Sequence, residues 1–232
     1  VYKSTSAVNN AKKINMRSTY FYASLIAILP AVAQAEVELG FYGGLQSAPH
    51  SRVIFSGDGV IPDEDYLVGW EGRSLEAPIY YGLRATYWGS DTVGFGVDFT
   101  HAKIYPKEGD LPAGFDALEF TDGLNILTAN VYRRWPGALW DGALTPYVGA
   151  GLGVSIPHVE VEYESSKTNG YQFTGPAAAL VAGAQYDLSD RWGVFAEYKF
   201  SYSQNTGDLD GGGTIRTDNA TNALNIGVSY TF

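Results

Sequence analysis

Three histidines, His50, His101 and His158, are the only imidazoles in this chain of 232 residues. Cysteine is absent, so neither a disulfide framework nor a thiolate metal site is open to it. Carboxylates stand close by in sequence. Glu119 and Asp122 lie between His101 and His158, while Glu160 and Glu162 are in phase with His158 at a spacing of two. Two imidazoles and a carboxylate with open positions suit non-haem iron or a similar divalent metal. The candidate ligands are therefore His101, His158 and Glu160, with Glu119 and Asp122 as further catalytic carboxylates and His50 as a third ligand or general base. Arg52 and Lys103 are cations that could meet phosphates or sugar acids. The plainer alternative is that these histidines and acids only bond within loops.

Other motifs carry less. Asp208-Leu209-Asp210-Gly211-Gly212-Gly213 lacks the remaining ligands of a calcium loop. The glycines at 149, 151 and 153 are followed by no helix, so they make no nucleotide fingerprint. His50-Ser51 has no placed acid and is thin ground for a serine hydrolase.

What must position the histidines is a set of strands. Alternating apolar stretches fall at Glu36–Leu45, Ala77–Trp88, Val93–Tyr105, Asp122–Trp135, Leu144–Ile156, Tyr171–Tyr186, Trp192–Tyr202 and Ala220–Phe232. Each is near or above the roughly 9–11 residues that cross a bilayer when tilted. The connections 89–92, 136–143 and 187–191 are short; 46–76, 106–121, 157–170 and 203–219 are long and rich in Gly, Asp and Glu. Long and short alternate, as in a barrel with extended outer loops and tight periplasmic turns. The expectation is all-β: an eight-stranded antiparallel transmembrane β-barrel of the outer-membrane type, over 36–232.

The two ends agree with this. Lys12, Lys13 and Arg17 precede an apolar run at 21–32, and Ala33-Gln34-Ala35 follows as a small-x-small cleavage site. Residues 1–35 thus read as a signal peptide with an upstream segment, Met16 being a possible start. At the other end Leu224, Ile226, Val228, Tyr230 and Phe232 alternate to an aromatic terminus, the kind of signal the barrel assembly machinery reads. All 25 acids and eleven of the fifteen Lys and Arg lie after residue 35, a mature charge of about −14. That argues against nucleic acid as a partner. No apolar run of about 20 residues remains for a membrane helix. A monomer in the bacterial outer membrane is expected.

Parity then places side chains. Val97 and Phe99 lead by twos to His101, and Val154 and Ile156 lead to His158, so both imidazoles should sit on the outer wall at headgroup height. Arg84, Asp98, Glu197 and Lys199 should point inward and pair, since buried charges need partners. Trp88, Trp135, Trp140 and Trp192 gather near short turns as a periplasmic aromatic girdle.

Several segments, Asp98-Phe99-Thr100-His101-Ala102-Lys103, Leu111-Pro112-Ala113-Gly114-Phe115-Asp116, Leu118 to Asn125, Ile156-Pro157-His158-Val159-Glu160 and 208–213, resemble the lipid A oxidase family of outer-membrane barrels. The likeness covers about 40–232 and rests on no short diagnostic motif. It implies oxidation of the proximal glucosamine of lipid A to an aminogluconate unit, with molecular oxygen as co-substrate and peroxide released. Lipopolysaccharide and the outer membrane would then be the partners. Dioxygen reacts sluggishly with closed-shell sugars without a cofactor. A filled barrel leaves no room for flavin or NAD, so a divalent, iron-like metal at the outer rim is the expectation. Two rivals fit the same strands: a non-enzymatic small barrel of the OmpA/OmpX kind, structural or adhesive, and a lipid A acyl-chain hydrolase or transferase using Ser51 or Ser155.

Overall fold

The computed structural model describes residues 36–232, the side chains of Thr121 and Asp122 excepted; the expected signal peptide, 1–35, lies outside them. Eight strands form the barrel wall: β1 (Glu36–Ser47), β5 (Tyr81–Trp88), β6 (Val93–Pro106), β7 (Phe115–Arg134), β8 (Leu144–Ser155), β11 (Gly175–Asp187), β12 (Trp192–Asp208) and β13 (Thr214–Thr231). Each pairs antiparallel with the next, and β13 pairs with β1 to close the ring. Five shorter strands extend the sheet beyond the long-loop end: β2 (Ser51–Ser56), β3 (Asp65–Val68), β4 (Trp70–Glu71), β9 (His158–Tyr163) and β10 (Ser166–Tyr171).

All eight expected strands are present, but all four long segments expected as loops carry strand, whereas 77–80 and 172–174 do not. β7 begins at Phe115, and most of 203–219 is strand, β12 pairing with β13 as far as Asp208 and Thr214. Alternation fails there for a physical reason. The outer face meets water above the bilayer, and the inner face carries Ser203, Asn205, Thr217 and Asn219, all buried. Neither face is apolar, so no period-two hydrophobic signal survives. With 17 and 18 residues against the roughly 9–11 that span a bilayer, β12 and β13 carry the wall well beyond it.

On the wall, Leu39, Phe41, Leu83, Phe95, Val97, Leu152, Leu180, Leu224 and Ile226 all point outward and are exposed. A belt of this size has lipid as its solvent. The inward side is polar and tightly paired. Arg84 donates from Nε to Asp98 at 2.8 Å and from both terminal nitrogens to Glu197 at 2.8 and 2.9 Å. Lys199 bonds Asp98, Thr100 and, at 2.7 Å, the Tyr42 hydroxyl. Tyr147 donates to Glu197 at 2.6 Å. Two cations and two carboxylates therefore neutralise one another in the middle of the lumen, as the parity argument required. Gly227 makes room for this packing, because a Cβ there would run into the Phe195 ring. Above the charges an apolar cluster lies beside the polar inner faces of β12 and β13: Trp70 packs on Phe120, and Phe115 packs on Phe55 and Tyr163.

The girdle needs one correction. Trp135, Trp140 and Trp192 are exposed at the short-turn end, but Trp88 is buried in the lumen with the Arg134 guanidinium 3.9 Å above its ring. Tyr87 faces outward, so its neighbour must face in.

Candidate functional site

Thr100 belongs to the lumen cluster, so His101, one residue on, faces the opposite side of β6, the side of Val97. Its ring stacks on Tyr81 of β5 at 5.0 Å and 24°, and its Nδ1 lies 2.9 Å from Asn125 Oδ1 on β7. With the amide oxygen accepting, Nδ1 donates. Packing between neighbours keeps His101 only 7% exposed despite its outward direction.

β7 is bulged at this height. Ala102 and Ile104 on β6 face Leu124 and Phe120, so four steps along β7 match two along β6. Two extra residues thus enter the segment 121–123, the parity of the flanking strand being kept. Gly123 sits in the bulge with φ of +120°, and a Cβ there would press on His101 Nδ1. Asp122 belongs to the same segment, and its side chain falls outside the described residues.

On the other side of β7 stands β9. Val159 and Val161 are buried in the apolar core, so His158, Glu160 and Glu162 face the other way. Glu160 is directly opposite Glu119 on β7, and His158 is opposite Tyr171 on β10, their rings 4.9 Å apart and nearly perpendicular. His101 and His158 therefore flank one strand on the outer wall, as counting by twos implied.

The remaining candidates fall differently. Among the described residues no group of three or more His, Asp and Glu side chains could hold a metal ion, so the proposed set His101, His158 and Glu160 is not assembled as one. The reason is spacing: the two histidines stand on strands separated by the whole width of β7. His50 is apart from this face, half-exposed against Gly69 and 3.9 Å from Asp110. Arg52 is exposed and paired with Asp65. Lys103, expected as a free rim cation, is fully buried; its Nζ donates to the Glu76 carbonyl at 2.8 Å. Ser51 accepts from the Trp70 indole at 2.7 Å and shares a hydrogen bond with Thr217, and Ser155 is fully buried.

Sequence reasoning missed Tyr81, Gly123, Asn125 and Tyr171. Tyr81 and Asn125 were within reach, because counting away from the turns 89–92 and 136–143 sets both opposite His101. Gly123 and Tyr171 depend on a bulge and an outer hairpin that leave no periodic signal.

A closed ring with a lipid-facing belt, a sealed polar lumen and long strands protruding at one end defines an outer-membrane β-barrel. The chain belongs to the outer membrane protein beta-barrel domain family, whose model it matches over residues 19–232, and its place is the bacterial outer membrane. No curated protein matches it. Among solved structures it is similar to the outer membrane protein OprG from Pseudomonas aeruginosa (14% identity, 84% of this chain and 95% of that one, TM-score 0.52). It is also similar to Neisserial surface protein A (16% identity, 86% and 98%, TM-score 0.47). At these identities the likeness concerns the fold alone.

Proposed function

We propose that this barrel is a lipid A oxidase, working from its outer wall on glycolipid in the outer leaflet. One observation carries the reading. His101 and His158 face outward on either side of β7, with Glu119 and Glu160 on the same face, directly above an otherwise apolar wall. Polar side chains gathered on this face stand where a polar part of a lipid could meet them. On this reading the sugars of lipid A lie at the same depth.

The reaction is loss of two electrons and two protons from C1 and its hydroxyl on the proximal glucosamine. Dioxygen accepts them and leaves as peroxide, and water opens the resulting lactone to the aminogluconate. Imidazole is the kind of side chain that accepts such a hydroxyl proton. The carboxylates Glu119 and Glu160 can receive hydrogen bonds from sugar hydroxyls. The described residues form no metal-holding set, so no step is drawn through a metal.

The test is mass spectrometry of lipid A from cells with and without the chain. The oxidase reading requires a gain of one oxygen. A second reading, a non-enzymatic barrel, is favoured by the sealed lumen and the sheet that protrudes outward with its own apolar core. It predicts unchanged lipid A. Loss or addition of an acyl chain would instead point to a hydrolase or transferase.

A further inference from the structure

The barrel wall has a notch. β5 ends at Tyr81, opposite Gly43 and His101, while β1 continues to Ser47 and β6 to Pro106. The segment 72–80 runs along this notch from β4, which pairs with the end of β6 at Tyr105 and Pro106. Ser74 and the Glu76 carbonyl turn inward, while the Glu76 side chain is exposed. Ser74 Oγ accepts from Gln46 N at 2.8 Å, Gln46 Oε1 accepts from Lys103 N at 3.2 Å, and the Glu76 carbonyl takes Lys103 Nζ. Its apolar groups turn outward: Leu75 is 78% exposed and Ile79 is 52% exposed. Ile79 continues the file of Tyr81, Leu83 and Tyr87 on the lipid-facing wall. Beside them Arg73 lays its guanidinium 4.4 Å over the Tyr105 ring, anchored to Glu71 and still 39% exposed.

We propose that residues 73–79 are a docking strap for one outer-leaflet lipid with a phosphate-bearing headgroup. Leu75 and Ile79 lie among its acyl chains, and Arg73 binds the phosphate. Three features commit the strap to lipid. It continues the file of the membrane-facing belt, with the exposed Glu76 carboxylate between Leu75 and Ile79. Its exposed aliphatic groups stand where a bilayer, not water, supplies the neighbours. Its one exposed cation is a guanidinium, whose remaining N–H groups suit phosphate oxygens. The docked headgroup would lie next to Tyr81 and His101, but the inference does not require that chemistry follow.

The full chain, folded in detergent, is mixed with bisphosphorylated lipid A or with the phosphate-free form of equal acylation, and bound lipid is counted by native mass spectrometry. Wild type should prefer the phosphorylated lipid. Arg73→Gln should lower its retention about tenfold and abolish the preference, a size ordinary for one charge-assisted contact, and Arg73→Lys should restore part of it. Leu75→Ser with Ile79→Ser should weaken both lipids alike. An unchanged preference in Arg73→Gln overturns the proposal, as does displacement of the lipid by inorganic phosphate. Heat-modifiable migration on a gel confirms that each variant is folded. Because retention needs no turnover, unoxidised lipid A would sink the oxidase reading alone, and loss of the Arg73 dependence would sink the strap alone.

Discussion

Two sets of charged and polar side chains occupy places where a barrel has little use for them, and they are built in opposite ways. In the lumen, Arg84, Asp98, Glu197 and Lys199 close on one another with their charges balanced and Tyr42, Tyr147 and Asn225 filling the remaining positions. On the outer wall, His101, His158, Glu119 and Glu160 are spread across three strands, two carboxylates sit directly opposite each other, and the residues below them face lipid. A cluster that satisfies itself needs no further explanation than the cost of burying charge. In the outer set Glu119 and Glu160 stand directly opposite each other, and carboxylates so placed repel unless a cation is shared between them. The difference teaches where to look for function: on the outside.

The largest effect should come from opening the inner set. Lys199→Met leaves Asp98 with one cation fewer in a site where neither is exposed, and should cost about 3–5 kcal/mol. Urea unfolding in lipid vesicles, followed by tryptophan fluorescence, measures it. Replacing the pair together, Lys199→Met with Asp98→Leu, should recover much of that loss. A single variant that unfolds like wild type would show that the cluster is not what holds the lumen.

The outer set should behave in reverse. His101→Ala and His158→Ala remove rings packed against Tyr81 and Tyr171. They should cost only about 1 kcal/mol of stability, but each should cut lipid A oxidation by about 100-fold or more, as expected on losing a general base. If both barrels keep full activity, the assignment is wrong. Gly123→Ala comes next. Its φ of +120° disfavours any side chain, and the new methyl presses on His101 Nδ1. A cost of about 1–2 kcal/mol should accompany partial loss of activity, whereas a change of like size in the lumen would leave activity in proportion to folded protein.

How much of this was legible beforehand follows the same division. Where one face met lipid and the other the lumen, period-two alternation gave the strands, the inward charges Arg84, Asp98, Glu197 and Lys199, and the outward direction of His101 and His158. Trp88 shows that a place near a turn does not make a tryptophan part of the girdle: its parity, one residue from the outward Tyr87, turns it into the lumen. Beyond the bilayer the signal faded. The upper parts of β12 and β13 alternate polar with polar, and the strap over Lys103 is fixed by backbone carbonyls and Gln46, which no composition announces. Residue types name candidate ligands, but whether His101, His158 and Glu160 meet depends on distances across β7 that spacing along one strand does not supply.

The smallest effect is also the sharpest discriminator. Glu160 faces Glu119 across β7 and β9, and cross-strand like charges disfavour folding by a few tenths of a kcal/mol. Glu160→Gln should therefore leave stability unchanged to within about 0.5 kcal/mol, or raise it slightly. If the outer set exists to meet sugar hydroxyls, the same substitution should still lower oxidation of lipid A severalfold, since a carboxylate accepts stronger hydrogen bonds than an amide. Stability held while activity falls is the signature of a residue kept for its ligand. Stability lost by 2 kcal/mol or more would mean that the outer carboxylates are as structural as the inner ones, and the contrast between the two regions would disappear.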